Sequence, residues 1–149
     1  MQQPPITTRV CITLISALGV IILDRSTKYC GANLHRCGAA LSPLFHEHDL
    51  FSLNTHGVFS FDIQNWAFLF ACGALVALLF LFKKKPTYWW VAYGALLGGA
   101  LSNGWDRLQY GGVIDWIPLG ISVANIADIA IAGALVAFAV MALLEQSSE

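Results

Sequence analysis

The sequence predicts an all-α membrane protein of four transmembrane helices with a small extracytoplasmic β-hairpin or β-cradle. Hydrophobic residues make up 57% of the chain and charged residues 11%, whereas charged residues are about 25% of a typical soluble domain. Four apolar segments are each near the ~20 residues that cross a bilayer. The loop between the first two alternates apolar and polar residues, as half-buried strands do. At 149 residues, we expect a single integral membrane domain, residues 1–149.

Each predicted helix follows from its local sequence. The helices cover residues 10–28, 66–82, 88–105 and 121–144. The first is short unless its polar end is still helical and its long side chains reach water. It lacks the small-residue cleavage site of a secretory signal, so we expect it to be retained. Three lysines follow the second helix, and because cytoplasmic loops retain basic residues, both termini are predicted to be cytoplasmic.

The predicted external β-rich loop covers residues 29–65. Phe59, Phe61 and Ile63 alternate with polar residues, a period of two that indicates strands. The residues from Asn54 to Gly57 are typical of a turn. A hairpin lying on the outer membrane surface is the prediction, and an irregular loop is the alternative.

Histidine and cysteine in the same loop suggest two further features. The run from His46 to Asp49 contains metal-ligand residue types, but on a strand alternate side chains point to opposite sides and no fuller ligand set lies nearby. We therefore expect no metal and no cofactor. Cys30 and Cys37 both fall in the external loop, where oxidation can close a disulfide.

Polar residues from separate segments are predicted to meet at the outer face. The first helix ends in Asp and Lys, the third in Asn, Asp and Arg, and the fourth begins with Asn and Asp. The opposite side has few charges apart from Arg9, the lysines and two glutamates. The residues predicted to converge are Asp24, Lys28, Asn103, Asp106, Arg107, Asp115, Asn125 and Asp128.

Two of these carboxylates predict the chemistry. Asp128 lies in an apolar segment, where an ionised side chain costs roughly 2.5–3.5 kcal/mol and indicates function. The apolar sequence on both of its sides argues against a helix cap. Gly111 and Gly112 permit a tight turn that returns Asp115 toward the helices. Two adjacent carboxyl groups cannot both ionise cheaply, so one retains a proton. Such a pair can activate water and polarise a peptide carbonyl, which predicts an aspartyl endopeptidase.

Simpler interpretations remain open for individual residues and for the whole chain. Asp24 and Lys28 are spaced to form an i, i+4 ion pair that lets a short helix end at the membrane interface, and Asp106 can pair with its neighbour Arg107. A small ion or proton carrier also needs membrane carboxylates, although it needs polar access from both sides. A non-enzymatic assembly subunit explains close packing at Gly94, Gly98 and Gly99 but not the clustered charges. The net charge of −1 argues against a nucleic-acid partner.

Four runs of residues resemble motifs of the lipoprotein signal peptidases, also called signal peptidase II. Asp24 to Lys28 resembles the D-x-x-x-K element of that family. Gly98 to Arg107, followed by Gly111 to Trp116, is similar to its G-G-A-x-x-N-x-x-D-R and G-x-V-x-D-F run. Val123 to Asp128 resembles F-N-x-A-D, and Asn54 with Phe59 and Ser60 matches part of N-x-G-x-A-F-S. The resemblance covers nearly the whole chain.

The resemblance implies an enzyme of the bacterial inner membrane. It implies removal of the signal peptide from diacylglyceryl-modified prolipoproteins just before the lipidated cysteine, within membrane lipid, with inhibition by globomycin-type cyclic peptides and no metal. Asp115 and Asp128 match the catalytic aspartates, and Asp106 matches a structural position. The positions that match supporting or substrate-binding residues are Asp24, Lys28, Asn54, Gly99, Asn103, Arg107, Asn125 and Ala127.

The chain also departs from the family pattern. His56, Gly57 and Val58 replace a run of small residues after Asn54, which adds bulk and a titratable group where a peptide backbone approaches. Ser102 stands where glycine is common, and Trp116 and Val123 replace phenylalanines. Substrate preference or inhibitor sensitivity is therefore expected to differ from that of other members.

Overall fold

The structure describes four stretches of the chain. The computed structural model describes residues 5–32, 52–55, 85–120 and 122–147. The predicted second helix at 66–82, the run from His46 to Asp49 and the alternating residues at 59–63 lie outside these described residues. So does Cys37. Cys30 is disulfide-bonded, and its pairing with Cys37 stays a prediction.

Three helices make up most of the described structure. Helix α1 spans Ile6–Ala32, α2 spans Thr87–Tyr110 and α3 spans Ile126–Gln146. The polar end of the first predicted helix is thus helical, which extends it beyond residues 10–28. Helix α2 ends where Gly111 adopts a left-handed φ of 71° and its N–H donates to the Arg107 carbonyl at 3.0 Å, a common glycine termination.

The fourth predicted helix begins five residues later than expected. Val123 and Ala124 form a short strand before α3, so the predicted start at residue 121 is wrong. The apolar character of these residues fits a strand as well as a helix, and sequence periodicity does not separate short buried strands from helix starts.

Two described helices are long and apolar enough to cross a membrane. They are Ile6–Cys30 within α1 and Ile126–Gln146. Only 17% and 11% of their most apolar windows are buried inside the protein, whereas a core helix of a soluble protein would be mostly buried. The exposed apolar surface suits lipid contact.

Glycines allow the helices to approach closely. Helix α2 packs against both α1 and α3. A Cβ atom on Gly94 or Gly98 would lie 2.5 Å from a backbone carbonyl oxygen of α1, and one on Gly99 would lie 2.7 Å from the Ala127 carbonyl oxygen of α3. Small residues at such contacts are typical of helix packing in membranes. These close contacts hold α1 and α3 against α2.

The hydrophobic core lies toward the end of the bundle where α2 begins. Trp89, Trp90 and Tyr93 of α2 are buried there, together with Ala134 of α3. Trp89 stacks on Phe138 with ring centroids 5.5 Å apart. Outside this core, Lys85 forms a partly exposed ion pair with Glu145. Aromatic packing therefore forms the core of this end.

Two small antiparallel ladders lie at the other end. Strand β1 (Ser52–Asn54) pairs with β2 (Val113–Asp115), with Ser52 opposite Asp115. Strand β3 (Ile117–Pro118) pairs with β4 (Val123–Ala124). A strand is present at residues 52–54 of the predicted β-rich loop, but Asn54 belongs to this strand and does not begin a turn as predicted. The described partner strand follows α2 and was not foreseen.

Candidate active site

Polar side chains from five elements meet at the end of the bundle opposite the aromatic core. The carboxyl ends of α1 and α2, the amino end of α3 and strands β1 and β2 all contribute. The structure brings together every polar residue that the sequence predicted to converge, and each makes a hydrogen bond to another member or to its backbone: Asp24, Lys28, Asn103, Asp106, Arg107, Asp115, Asn125 and Asp128. Asn54, a position that the family resemblance marked as supporting, joins them through Asp115.

Asp115 is buried at the end of β2, with 2% of its surface exposed. Its Oδ1 accepts a hydrogen bond from Asn125 Nδ2 at 2.7 Å, and its Oδ2 accepts one from Asn54 Nδ2 at 3.1 Å. Burial raises the pKa of Asp115 above its ordinary value, and the charge of Asp128 raises it further, against the opposing effects of Asn54, Asn125 and Lys28. Asp115 is therefore set to hold its proton to higher pH than an exposed aspartate.

Asp128 lies at the third position of α3. Its Oδ2 accepts from the backbone N–H of Asn125 at 3.1 Å, while Asn125 Oδ1 accepts from the Asp128 N–H at 2.8 Å. This reciprocal pair is a capping box. The expectation that Asp128 takes no part in a helix cap is wrong, because α3 begins later than predicted. The capping box fixes the direction of the Asp128 side chain relative to α3.

Two asparagine amides connect the carboxyl groups. Asn103 Nδ2 donates to Asp128 Oδ1 at 2.8 Å. Asn125 Nδ2, which donates to Asp115, also lies 3.1 Å from Asn103 Oδ1. Because an amide has both donors and an acceptor, the two asparagines form a continuous link from Asp115 to Asp128. Both carboxyl groups are thus held by neutral donors.

A buried charged cluster lies behind the asparagines. Lys28 Nζ is 2.7 Å from both Asp24 and Asp106 and 3.4 Å from Asn103 Oδ1. Only 2% of the Lys28 side chain is exposed and neither aspartate side chain is exposed. The i, i+4 pair of Asp24 and Lys28 that the spacing suggested is present, and it is buried.

Asp106 does not form the simple pair with Arg107 that the sequence allowed. It accepts from Arg25 and Lys28, and from the backbone N–H of Ile114 at 3.3 Å. Arg107 instead donates to the Asn103 carbonyl at 3.4 Å. Arg25 was missed by sequence reasoning, although a cation adjacent to Asp24 at the end of an apolar helix was the available signal.

Gly99 and Ala127 contribute through their backbones. Ala127 is completely buried, and its N–H donates to Asp24 Oδ1 at 3.0 Å. Gly99 leaves room for the Ala127 carbonyl. Both residues therefore fix the first turn of α3, from which Asp128 projects.

Comparison with known proteins identifies the family of the chain. The family model described as signal peptidase (SPase) II, Peptidase_A8, matches residues 16–144. The chain belongs to the signal peptidase II family. It is 34% identical over 149 residues to the lipoprotein signal peptidase of Nitratidesulfovibrio vulgaris (strain DP4), covering 87% of this chain and 88% of the relative.

Other comparisons define the extent of the similarity. Over 77 residues the chain is 40% identical to the lipoprotein signal peptidase of Shewanella sediminis (strain HAW-EB3), an alignment that spans only 44% of that relative. A solved chain described as a bacterial membrane enzyme, determined by the in meso method at 2.3 Å, superimposes with a TM-score of 0.68 at 23% identity. That match covers 99% of this chain and 93% of the other and supports a shared fold.

As a signal peptidase II family member, the chain is a protease of a bacterial membrane. The family departure at Ser102 has a structural role, because Ser102 Oγ donates to Asp24 Oδ2 at 2.6 Å. The altered residues after Asn54 begin at position 56, outside the described part.

Proposed function

We propose that this protein is an intramembrane aspartyl endopeptidase that removes the signal peptide from diacylglyceryl-modified prolipoproteins, just before the lipidated cysteine. One observation carries the proposal: Asp115 and Asp128 are connected through Asn125 and Asn103 at one end of a bundle of apolar helices. The lipoprotein signal peptidases that the chain resembles supply the substrate class by their name.

The proposed reaction uses the two carboxyl groups in different protonation states. The ionised member of the pair takes a proton from water, and the oxygen of that water attacks the scissile carbonyl carbon. The protonated member donates to the carbonyl oxygen, which gives a tetrahedral intermediate. The carbon–nitrogen bond then breaks as the nitrogen accepts a proton, leaving a new carboxylate and a new amine. The raised pKa of Asp115 supports its role as the protonated member.

Supporting residues divide into two groups in this proposal. Asn54, Asn103 and Asn125 hold the carboxyl oxygens, while Lys28, with Asp24 and structural Asp106, forms the charged layer behind them. Arg107 is half-buried beside Asn103 and is proposed to orient the substrate backbone.

The proposed topology places this chemistry at the outer face of the bacterial inner membrane. We propose four transmembrane helices with both termini cytoplasmic, so that the ends of α1 and α2 and the start of α3 meet the lipid-modified substrate at the outer membrane surface. Substrate lipid, membrane lipid and globomycin-type inhibitors are the proposed partners.

Cleavage of a defined substrate tests the proposal. A diacylglyceryl-modified prolipoprotein is incubated in detergent with the wild type, Asp115→Asn or Asp128→Asn, and the product mass locates the cut. We expect wild-type cleavage before the lipidated cysteine and a loss of at least about 100-fold in each variant, because general acid–base groups contribute about 10²–10⁴-fold.

A matched carboxylate controls for general effects. Glu145→Gln changes a carboxylate at the opposite end of the bundle and is expected to cleave within about twofold of wild type, because its ion pair is partly exposed and lies away from the polar cluster. Thermal unfolding in detergent establishes that each variant is folded. Cleavage by either aspartate variant at the wild-type rate would contradict the dyad. A folded wild type without cleavage contradicts the whole proposal, and ion flux is then the next assay.

A further inference from the structure

The amino end of α3 is capped by a residue of α1 as well as by its own capping box. The first N–H groups of a helix have no partner within the helix. Asn125 satisfies the N–H of Asp128, whereas the N–H of Ala127 donates to Asp24 Oδ1 at 3.0 Å. A carboxylate at this position is also favoured by the positive end of the helix dipole. The residue directly before Asp128 is therefore tied to a different helix.

The direction of the Asp24 carboxylate is set by its other oxygen. Asp24 Oδ2 accepts from Ser102 Oγ at 2.6 Å and from Lys28 Nζ at 2.7 Å. Asp24 is completely buried and Ser102 is 2% exposed, so water does not compete freely for either group. The lysine is shared with Asp106 at the same distance, so of the two described donors to Oδ2 only the serine hydroxyl is directed at Asp24 alone.

We infer that Ser102 is a positioning residue for the reaction. Its hydroxyl orients the Asp24 carboxylate, which holds the Ala127 N–H and thereby the turn that carries Asp128. The expected effect of Ser102 on the reaction rate rests on the proposed function. The hydrogen bonds that link Ser102, Asp24 and Ala127 do not depend on it. Ser102 touches neither reacting carboxyl group, so it acts through Asp24.

Two hydroxyl deletions at the same helix pair test the inference. Ser102→Ala removes one oxygen atom and leaves the backbone and Cβ unchanged. Ser16→Ala removes the matched hydroxyl of α1, whose Oγ donates to the Val91 carbonyl at 2.8 Å, far from the polar cluster. Prolipoprotein cleavage gives kcat and KM for both variants and the wild type, and thermal unfolding in detergent gives their stability.

The expected result separates positioning from general stability. We expect Ser102→Ala to lower kcat about 10-fold, as loss of a hydrogen bond to a charged group allows, with KM within about twofold. Ser16→Ala should keep both parameters within about twofold. Equal kcat values for the two variants, or a Ser102→Ala effect confined to KM, would overturn the inference.

A measurement without substrate distinguishes this inference from the proposed function. In the wild type, the Ala127 amide proton should resonate downfield in an NMR spectrum of the full chain in detergent, because it donates to a carboxylate, and Ser102→Ala should move it upfield by more than Ser16→Ala does. If this shift occurs but the wild type does not cleave, the positioning contact stands and the proposed function fails. If cleavage occurs without the shift, the positioning inference fails.

Discussion

Replacing Gly99 with alanine should reduce cleavage by displacing Asp128. The added Cβ would lie 2.7 Å from the Ala127 carbonyl oxygen and 2.8 Å from Ile131 Cγ1. The isoleucine side chain can rotate, but the carbonyl moves only with α3. Restoring an ordinary van der Waals separation therefore requires α3 to move by at least about 0.5 Å.

That displacement is large compared with the hydrogen bond that holds the carboxylate. Asn103 of α2 donates to Asp128 Oδ1 at 2.8 Å, and a further ~0.5 Å stretches this contact beyond the usual ~3.2 Å limit. Catalytic groups tolerate misplacement of about 0.5 Å, and a shift of about 1 Å can cost 10²-fold. We expect kcat to fall about 10-fold to 100-fold.

The assay compares Gly99→Ala with Gly133→Ala. Gly133 is also helical, in α3, but a Cβ there meets no atom within 4 Å. Its replacement should leave prolipoprotein cleavage within about twofold and gain up to about 1 kcal/mol from helix propensity. The reasoning about Gly99 is refuted if folded Gly99→Ala cleaves as fast as Gly133→Ala.

Three further changes test other parts of the site. Asn54→Ala removes a donor that lowers the pKa of Asp115, so that pKa rises further. Because the proposed mechanism needs Asp115 protonated, the alkaline limb of the pH profile of cleavage should move to higher pH. An alkaline limb that is unchanged or moves to lower pH contradicts this role of Asn54. Gly112→Ala should shift the alkaline limb in the same direction. Its Cβ would lie 2.9 Å from the Asn54 carbonyl oxygen, which pushes β1 and the Asn54 amide away from Asp115. A pH profile that matches the wild type would contradict this prediction. Lys28→Met should lower the free energy of unfolding by about 3–5 kcal/mol, because it removes the cation paired with buried Asp24 and leaves buried Asp106 with Arg25 alone. Lys85→Met, in a partly exposed pair, should cost about 1 kcal/mol or less. Similar losses for the two variants, measured by denaturant unfolding in detergent, argue against this difference.

The sequence predicted the membrane character and the cluster better than it predicted helix ends. Because charged residues are scarce in this chain, each polar residue in or next to an apolar segment was easy to identify as a candidate. In the structure those residues lie together at one end of the helix bundle. The start of α3 was misplaced because Val123 and Ala124 are apolar in either conformation. With that start at residue 121, Asp128 seemed too far inside the helix to be part of a cap.

Contacts between distant segments were the other part that sequence could not supply. The pairing of β1 with β2 joins residues about 60 positions apart, and nothing in the three residues of β1 identifies its partner. Asp106 pairs with Arg25 and Lys28 of α1 and not with the adjacent Arg107. This choice of partner depends on the direction in which side chains leave α2. Helical spacing defines which residues share a face, but not which neighbouring helix that face contacts.

The contact between Asp24 and the Ala127 N–H has a consequence for biogenesis. The two residues are 103 positions apart, and α3 is the last described helix to be synthesised. Until it docks, the carboxylate of Asp24 lacks one of its donors and Asp115 lacks the amide of Asn125. A nascent chain with only α1 and α2 inserted therefore contains charged groups without their final partners and no assembled pair of carboxyl groups. If this pair is catalytic, as proposed, proteolytic activity can appear only after α3 has docked against α1 and α2.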